Sequence, residues 1–265
     1  MGGEDIALSF KPLKMALKMT HLMEDWKEFE KNYRAIYDTC FTIFSREHIE
    51  MSEQTIKEDL DNFRRLREKL IQINGVRDTV THLNKEIANG KRILVEDSSS
   101  VSMDVDAGLY PFTDSYHTTT GAICTGLGVP EEAIETTIGV FSAVSIVRKE
   151  FLERIKDFPT HIHENEPEYA KIQDKLDKDY GVHSSKFEYG WTDLNLISYS
   201  ELINKLSCVM LTHLDVLNET ETIKLATKYS VEKPGGTVDY THSLPANIDD
   251  WAKLEPKYTE IPGWN

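Results

Sequence analysis

Between Leu13 and Ala88 a single glycine and no proline interrupt the chain, and that one feature commits its first third to helices. Apolar residues recur there by threes and fours. Trp26, Phe29, Tyr33, Ile36 and Tyr37 form one stripe, and Ile56, Leu60, Phe63, Leu66, Leu70 and Ile73 a second. Such spacing puts each set on one helix face, so both stripes read as core packing rather than as a cofactor site. Asn74 and Gly75 are expected to stop the second helix. The charge run Arg64, Arg65, Arg67, Glu68, Lys69 reads as a solvated face.

After Gly90 the texture changes. KRILVED is a short apolar run with a polar end, the pattern of a buried strand reaching an edge where ligands bind. Small and turn-forming residues dominate up to Pro130. A second strand-like run, LSCVMLTHLDVL, covers Leu206 to Leu217. Helical stretches are expected over Glu131 to Ile155 and Pro167 to Asp179, with a loop around Phe158 to Glu166. Turns and short strands are expected from Lys233 to Asn265. Strands alternating with helices imply an α/β fold with a mostly parallel central sheet and flanking helices. The division is a helical subregion over 1–90 and an α/β core over 91–265, forming one domain overall.

Charge narrows the partners. A formal net charge of -15 and a pI of about 5.1 oppose nucleic acid and anionic membranes, because an acidic field repels a phosphate backbone or headgroup. No run approaches the roughly 18 apolar residues of a membrane span, and MGGEDIALSF lacks the basic-then-apolar order of a secretory leader. Cys40, Cys124 and Cys208 lack ligand spacing and read as buried free thiols. A reduced, cytoplasmic setting is the expectation.

The densest chemistry lies between Leu94 and Pro130. Gly108, Gly121, Gly126 and Gly128 with many hydroxyls make a surface where backbone N–H groups can approach a phosphate. Asp104 and Asp106 alternate as paired carboxylates and read as structural. His117, His161 and His163 read as surface histidines with no metal site. The order of several words then becomes informative. DVDAG (Asp104 to Gly108), YPF (Tyr110 to Phe112), CTGLG (Cys124 to Gly128), FPT (Phe158 to Thr160), GWTDL (Gly190 to Leu194), LTHLDVL (Leu211 to Leu217) and DDWAKLEPKYTEIPGW (Asp249 to Trp264) follow one another. This series resembles the central part of the adenylosuccinate synthetase family.

That resemblance implies an incomplete version of the family's P-loop-related fold, purine nucleotides as ligands, and a place in AMP biosynthesis. The family reaction joins IMP and aspartate at the expense of GTP with Mg2+. By position, the resemblance assigns Asp97, Thr118, Thr119 and Arg148 to a vestigial IMP site, with Lys149 beside Arg148. It assigns His183, Ser184, Ser185 and Lys186 to a vestigial aspartate loop, and His213 and Asp215 to the guanine reader. In the HSSKFEYGW stretch the arginines of the family loop are gone and Glu188 adds negative charge. No GxxxxGK-like string occurs in these residues, so no catalytic or metal residue is assigned, and GTP and Mg2+ are implied for the family alone. Two functions follow from the resemblance. One is a catalytically impaired synthetase. The other is a scaffold that dimerises with itself or with an intact synthetase.

Overall fold

A computed structural model describes residues 16–44, 52–96, 99–181, 186–233, 235–240, 243–245 and 247–264. The chain divides into two compact units, one reaching to Leu94 and including 127–129, the other made of 95–126 and 130–265.

The first unit is helical. Helices α1 (Met19–Met23), α2 (Trp26–Phe44), α3 (Glu53–Gln72) and α4 (Thr79–Ala88) follow in order. Its core is Leu22, Phe29, Ile56 and Leu60, with Trp26, Tyr33, Tyr37, Phe63 and Leu70 packed against it. Phe63 meets Phe29 and Tyr33 edge-on, with ring centroids 5.4 and 5.5 Å apart, the arrangement that puts a ring's positive edge on its neighbour's negative face. The second stripe is narrower than its spacing suggested, since Leu66 is 41% and Ile73 71% exposed. On a helical wheel Ile56, Leu60, Phe63 and Leu70 share a sector, and Leu66 and Ile73 fall roughly 80–100° aside. Arg67 shares the buried sector. Its Nε donates to the Leu22 carbonyl at 2.9 Å and its Nη2 to the Glu24 carbonyl at 3.0 Å, which satisfies the end of α1. Arg64 stacks over Trp26 at 4.8 Å. The expected solvated charge run is therefore partly structural. Helix α3 ends at Gln72, and Asn74 takes the left-handed conformation (φ 47°), as expected of a stop there.

The second unit carries α5 (Thr120–Leu127), α6 (Lys149–Ile155), α7 (Pro167–Tyr180), α8 (Leu194–Asn204) and α9 (Ile248–Trp251). Its strands are β1 (Ile138–Ser142), β2 (Ser145–Arg148), β3 (Phe187–Gly190), β4 (Thr192–Asp193), β5 (Cys208–Thr212), β6 (Thr222–Lys233), β7 (Gly236–Tyr240) and β8 (Glu255–Pro262). The α/β class expected from sequence holds. Parallel pairing joins β1 to β5 and β4 to β6, and antiparallel ribbons add β2 to β3 and both β7 and β8 to β6. Strand β6 organises this end of the unit. Its buried Ile223 belongs to an apolar cluster with Ile172, Leu176 and Trp191, and its buried Tyr229 to another with Phe158, Ile248 and Trp251.

Three expectations are corrected. Residues 131–148 are not helical, because only Lys149–Ile155 of the expected helix forms, after a 3-10 turn at Glu131–Ala133 and strands β1 and β2. The run TTIGVFSAVSIV is rich in β-branched residues whose stiff side chains favour the pleated surface. Residues 91–96 form no strand, and Leu94 is 91% exposed. A strand exists only where its N–H and C=O groups find a partner, and none of the described residues pairs with this run. The cysteines are not buried: Cys40 and Cys124 are half-buried and Cys208, on β5, is exposed. The tail forms strands β7 and β8 as expected, with the short helix α9 between them. Helix α7 matches its expected span, with Pro167 in its first turn and Gly181 left-handed after its end. No helix of the described residues is long and apolar enough to cross a membrane.

Candidate functional site

The DVDAG turn is built on one carboxylate. Asp104 is buried, and its Oδ1 accepts from the backbone N–H of Asp106 and of Ala107, each at 2.9 Å, while Oδ2 accepts from Thr118 N–H at 2.7 Å. Burial alone would raise this acid. The three backbone donors, with His117 beside them, outweigh that and hold it below the ordinary aspartate range. Gly108 is obligatory here, since a Cβ would lie 2.4 Å from the Asp104 carbonyl oxygen and 2.5 Å from that of Ser102. Asp106, by contrast, points to solvent. The expected carboxylate pair is thus one buried turn-former and one exposed neighbour.

The same network fixes the threonines. Thr118 donates its hydroxyl to the Ser100 carbonyl at 2.9 Å, and the N–H of Thr120 donates to Asn204 Oδ1 at 2.8 Å. Thr118, Thr119 and Thr120 line a cleft of about 420 Å³ shared with Thr136, Thr137 and Asn204. Two of the backbone N–H groups that a phosphate would seek are therefore taken by Asp104 and Asn204.

A neighbouring cavity of about 390 Å³ shares Ser100, Val140 and Phe141 with that cleft. Its lining is mainly apolar, with Arg148 and Asp193 as its charged groups. Arg148, at the end of β2, pairs with Glu150 at 3.2 Å, and both side chains are largely exposed. Asp193 is buried, caps α8 through the N–H of Leu196 at 2.9 Å, and accepts the hydroxyl of Tyr229. Burial pushes its pKa upward despite those donors.

The aspartate-loop assignments divide. His183, Ser184 and Ser185 lie outside the described residues, as does Asp97 of the IMP assignment. Lys186 is exposed, and its carbonyl accepts the N–H of Lys149 at 2.9 Å. Glu188 is buried. Lys149 Nζ lies 2.8 Å from it and Tyr169 donates its hydroxyl at 2.8 Å. Burial would raise the Glu188 carboxyl, and these two partners outweigh it, so its pKa is lowered.

The two residues that the resemblance assigns to guanine reading, His213 and Asp215, sit after β5. His213 is left-handed (φ 57°), with Nδ1 3.1 Å from Ser142 Oγ, which also lines the apolar cavity. Asp215 accepts the Tyr180 hydroxyl at 2.7 Å and lies 3.8 Å from Lys175 Nζ. The Tyr180 hydrogen bond is the main reason its pKa is lowered. Tyr180, Lys175, Glu150, Asn204 and Tyr169 were missed in the sequence, where nothing marks a helix-face hydroxyl or amide as the partner of a distant loop.

The surface reading holds for His117 and His163, whose side chains are largely exposed, and fails for His161. His161 is only 13% exposed, with Nδ1 2.7 Å from Asp157 Oδ1, and His163 Nε2 lies 3.6 Å from Asp157 Oδ2. Burial follows from a ring stacked on Phe158 and a backbone paired across to Gly190.

Comparison with known proteins places these features in a family. The profile described as adenylosuccinate synthetase matches residues 3–265. The adenylosuccinate synthetase of Caenorhabditis elegans is 34% identical over 260 residues, 97% of this chain and 52% of its own length. That of Paramecium tetraurelia is 30% identical over 259 residues, 97% of this chain and 55% of its own length. A solved structure of fully ligated adenylosuccinate synthetase from Plasmodium falciparum superimposes with a TM-score of 0.80 at 22% identity, covering 97% of this chain and 57% of that one. The chain spans about half the length of the curated relatives it matches.

Proposed function

The chain belongs to the adenylosuccinate synthetase family, and we propose that it keeps the purine-nucleotide scaffold of that family without the grip needed to join IMP and aspartate at the expense of GTP. One observation carries this reading. In the stretch corresponding to the aspartate loop, the Glu188 carboxylate holds the nearby Lys149 ammonium at 2.8 Å. A dicarboxylate substrate needs unopposed cations, preferably guanidinium forks that bind each carboxylate at two points. Here Lys149 is already neutralised, and Lys186 is the loop's exposed lysine.

The other assigned positions point the same way. Guanine recognition at Asp215 requires both carboxylate oxygens for two neighbouring N–H donors, and Tyr180 occupies one of them. Arg148 remains the best candidate for a nucleotide phosphate, since its exposed pair with Glu150 is worth little and can open. Asp97, Thr118 and Thr119 complete the proposed IMP face. GTP and Mg2+ belong to the family's chemistry. Among the described residues, the side chains grouped closely enough to share an ion are Asp157, His161 and His163, and a set with two nitrogen donors does not suit oxygen-seeking Mg2+.

A scaffold role is favoured by a second observation. Val140 on β1 and Met210 on β5, paired in register, are exposed apolar side chains on one face of a two-stranded parallel ribbon. Such a patch seeks cover, and a second copy or an intact synthetase is the proposed partner. Light scattering and co-purification test it: a complex that Met210→Lys disrupts supports the scaffold, and a strictly monomeric chain that captures no synthetase ends it. Catalysis is tested by incubating the purified chain with IMP, aspartate, GTP and Mg2+. No adenylosuccinate above the protein-free control is expected, and sustained formation overturns the proposal.

A further inference from the structure

We propose that Asp157, His161 and His163 form a binding site for a divalent transition-metal ion of the Zn2+ class. One donor atom from each residue lies within 4.8 Å of the others. A tetrahedral Zn2+ with bonds of about 2.0–2.1 Å sets its ligands about 3.3 Å apart. Most of the closing movement falls on His163, whose side chain is 57% exposed and has room to rotate.

The backbone that carries these ligands is already fixed. Ile162 N–H donates to the Tyr189 carbonyl at 2.9 Å and Trp191 N–H to the Thr160 carbonyl at 2.8 Å, so the loop is stapled to β3 and the residue after it on both sides of His161. The N–H of His163 donates to Glu166 Oε1 at 2.9 Å, which pins the third ligand. Phe158 stacks on the His161 ring at 4.7 Å and sets its plane.

The other nitrogen of His161 supplies the independent argument. Nε2 is buried with no hydrogen-bond partner and faces Glu188 Oε2 at 3.6 Å. With Nδ1 donating its hydrogen to Asp157, a neutral ring turns the lone pair of Nε2 toward a carboxylate. An ion on Nδ1 moves the hydrogen to Nε2, which then donates to Glu188. That is the carboxylate–histidine–metal arrangement that orients ligating histidines, and Lys149 and Tyr169 hold Glu188 in place for it. Two imidazole nitrogens and one carboxylate, with an exposed side left for water, favour borderline ions such as Zn2+, Co2+ and Ni2+ over Mg2+ or Ca2+. The competing arrangement is a doubly protonated His161 bridging Asp157 and Glu188, which takes up no ion.

Titration of the metal-free full chain with Zn2+, followed by calorimetry, and with Co2+, followed by its visible absorption, decides between them. The proposal expects one ion per chain and a tetrahedral Co2+ spectrum. His163→Ala, at an exposed position that leaves the fold intact, should weaken uptake by at least about tenfold and abolish that spectrum, and Glu188→Gln should weaken it about 10–100-fold. No uptake, or uptake unchanged in His163→Ala because the ion sits on other ligands such as the cysteines, overturns it.

Discussion

The helical unit and the Asp104 turn of the α/β unit are held together by opposite means. In the first, Phe29, Ile56 and Leu60 bury apolar area along two stripes, and only a few polar groups, such as Arg67, are used to close a helix end. In the second, a single buried carboxylate gathers three backbone N–H groups, and a glycine without a Cβ lets the chain turn back on itself. The apolar stripe tolerates substitution in proportion to volume. The polar turn is all-or-none, because its three donors share one carboxylate and lose it together, with the buried Thr118 N–H the costliest to strand.

The largest effect that separates the two is expected from Phe29→Ala. A cavity in a small core costs about 3–5 kcal/mol, and hydrogen exchange should show the loss in residues 16–94 first. Protection lost equally throughout the chain would break the distinction. Asp104→Ala comes next, at about 3 kcal/mol from stranded N–H groups, read as lost protection of the Thr118 and Ala107 amides. Acid should sharpen the contrast. Asp104 and Glu188 have lowered folded pKa values, so their contribution is present above the ordinary carboxylate range and is lost as pH falls through the folded values. Asp193 has the opposite sign: its raised pKa contributes stability in acid that is lost as pH rises. Thermal melts should therefore show Asp104→Asn reducing the acid sensitivity, and Asp193→Asn gaining relative stability as pH increases. The smallest effect belongs to Leu66→Ala, within about 0.5 kcal/mol as for other surface changes. A loss as large as that of Phe29→Ala would mean that the stripe is wider than the wheel allows.

These differences explain what could be read from the chain alone. The stripes of α2 and α3 were legible because helix spacing is a local property, and their error at Leu66 and Ile73 is one of angle. Strands β1 and β2 were not, because Glu131 to Ile155 carries helix-compatible charges at both ends, while the β-branched run between them is decided by a partner, Cys208 to Thr212, some 70 residues away. KRILVED fails for the converse reason: it has strand-like residues and no partner among those described. For the candidate site, the motif words pointed to Asp104, His213 and Asp215, and the positional resemblance to Thr118 and Arg148. They could not say what each side chain meets, since Asn204 lies 84 residues from Thr120 and Tyr180 lies 35 from Asp215. Asp157, His161 and His163 were close in sequence, and only the fold turned His161 inward.

The proposed function rests on Lys149 and Asp215 being closed on internal partners. Calorimetric titration of aspartate into the chain held with IMP and GTP–Mg2+ tests it most directly. No saturable heat is predicted, because Lys149 remains on Glu188; saturable aspartate binding that disappears in Lys149→Met would contradict it.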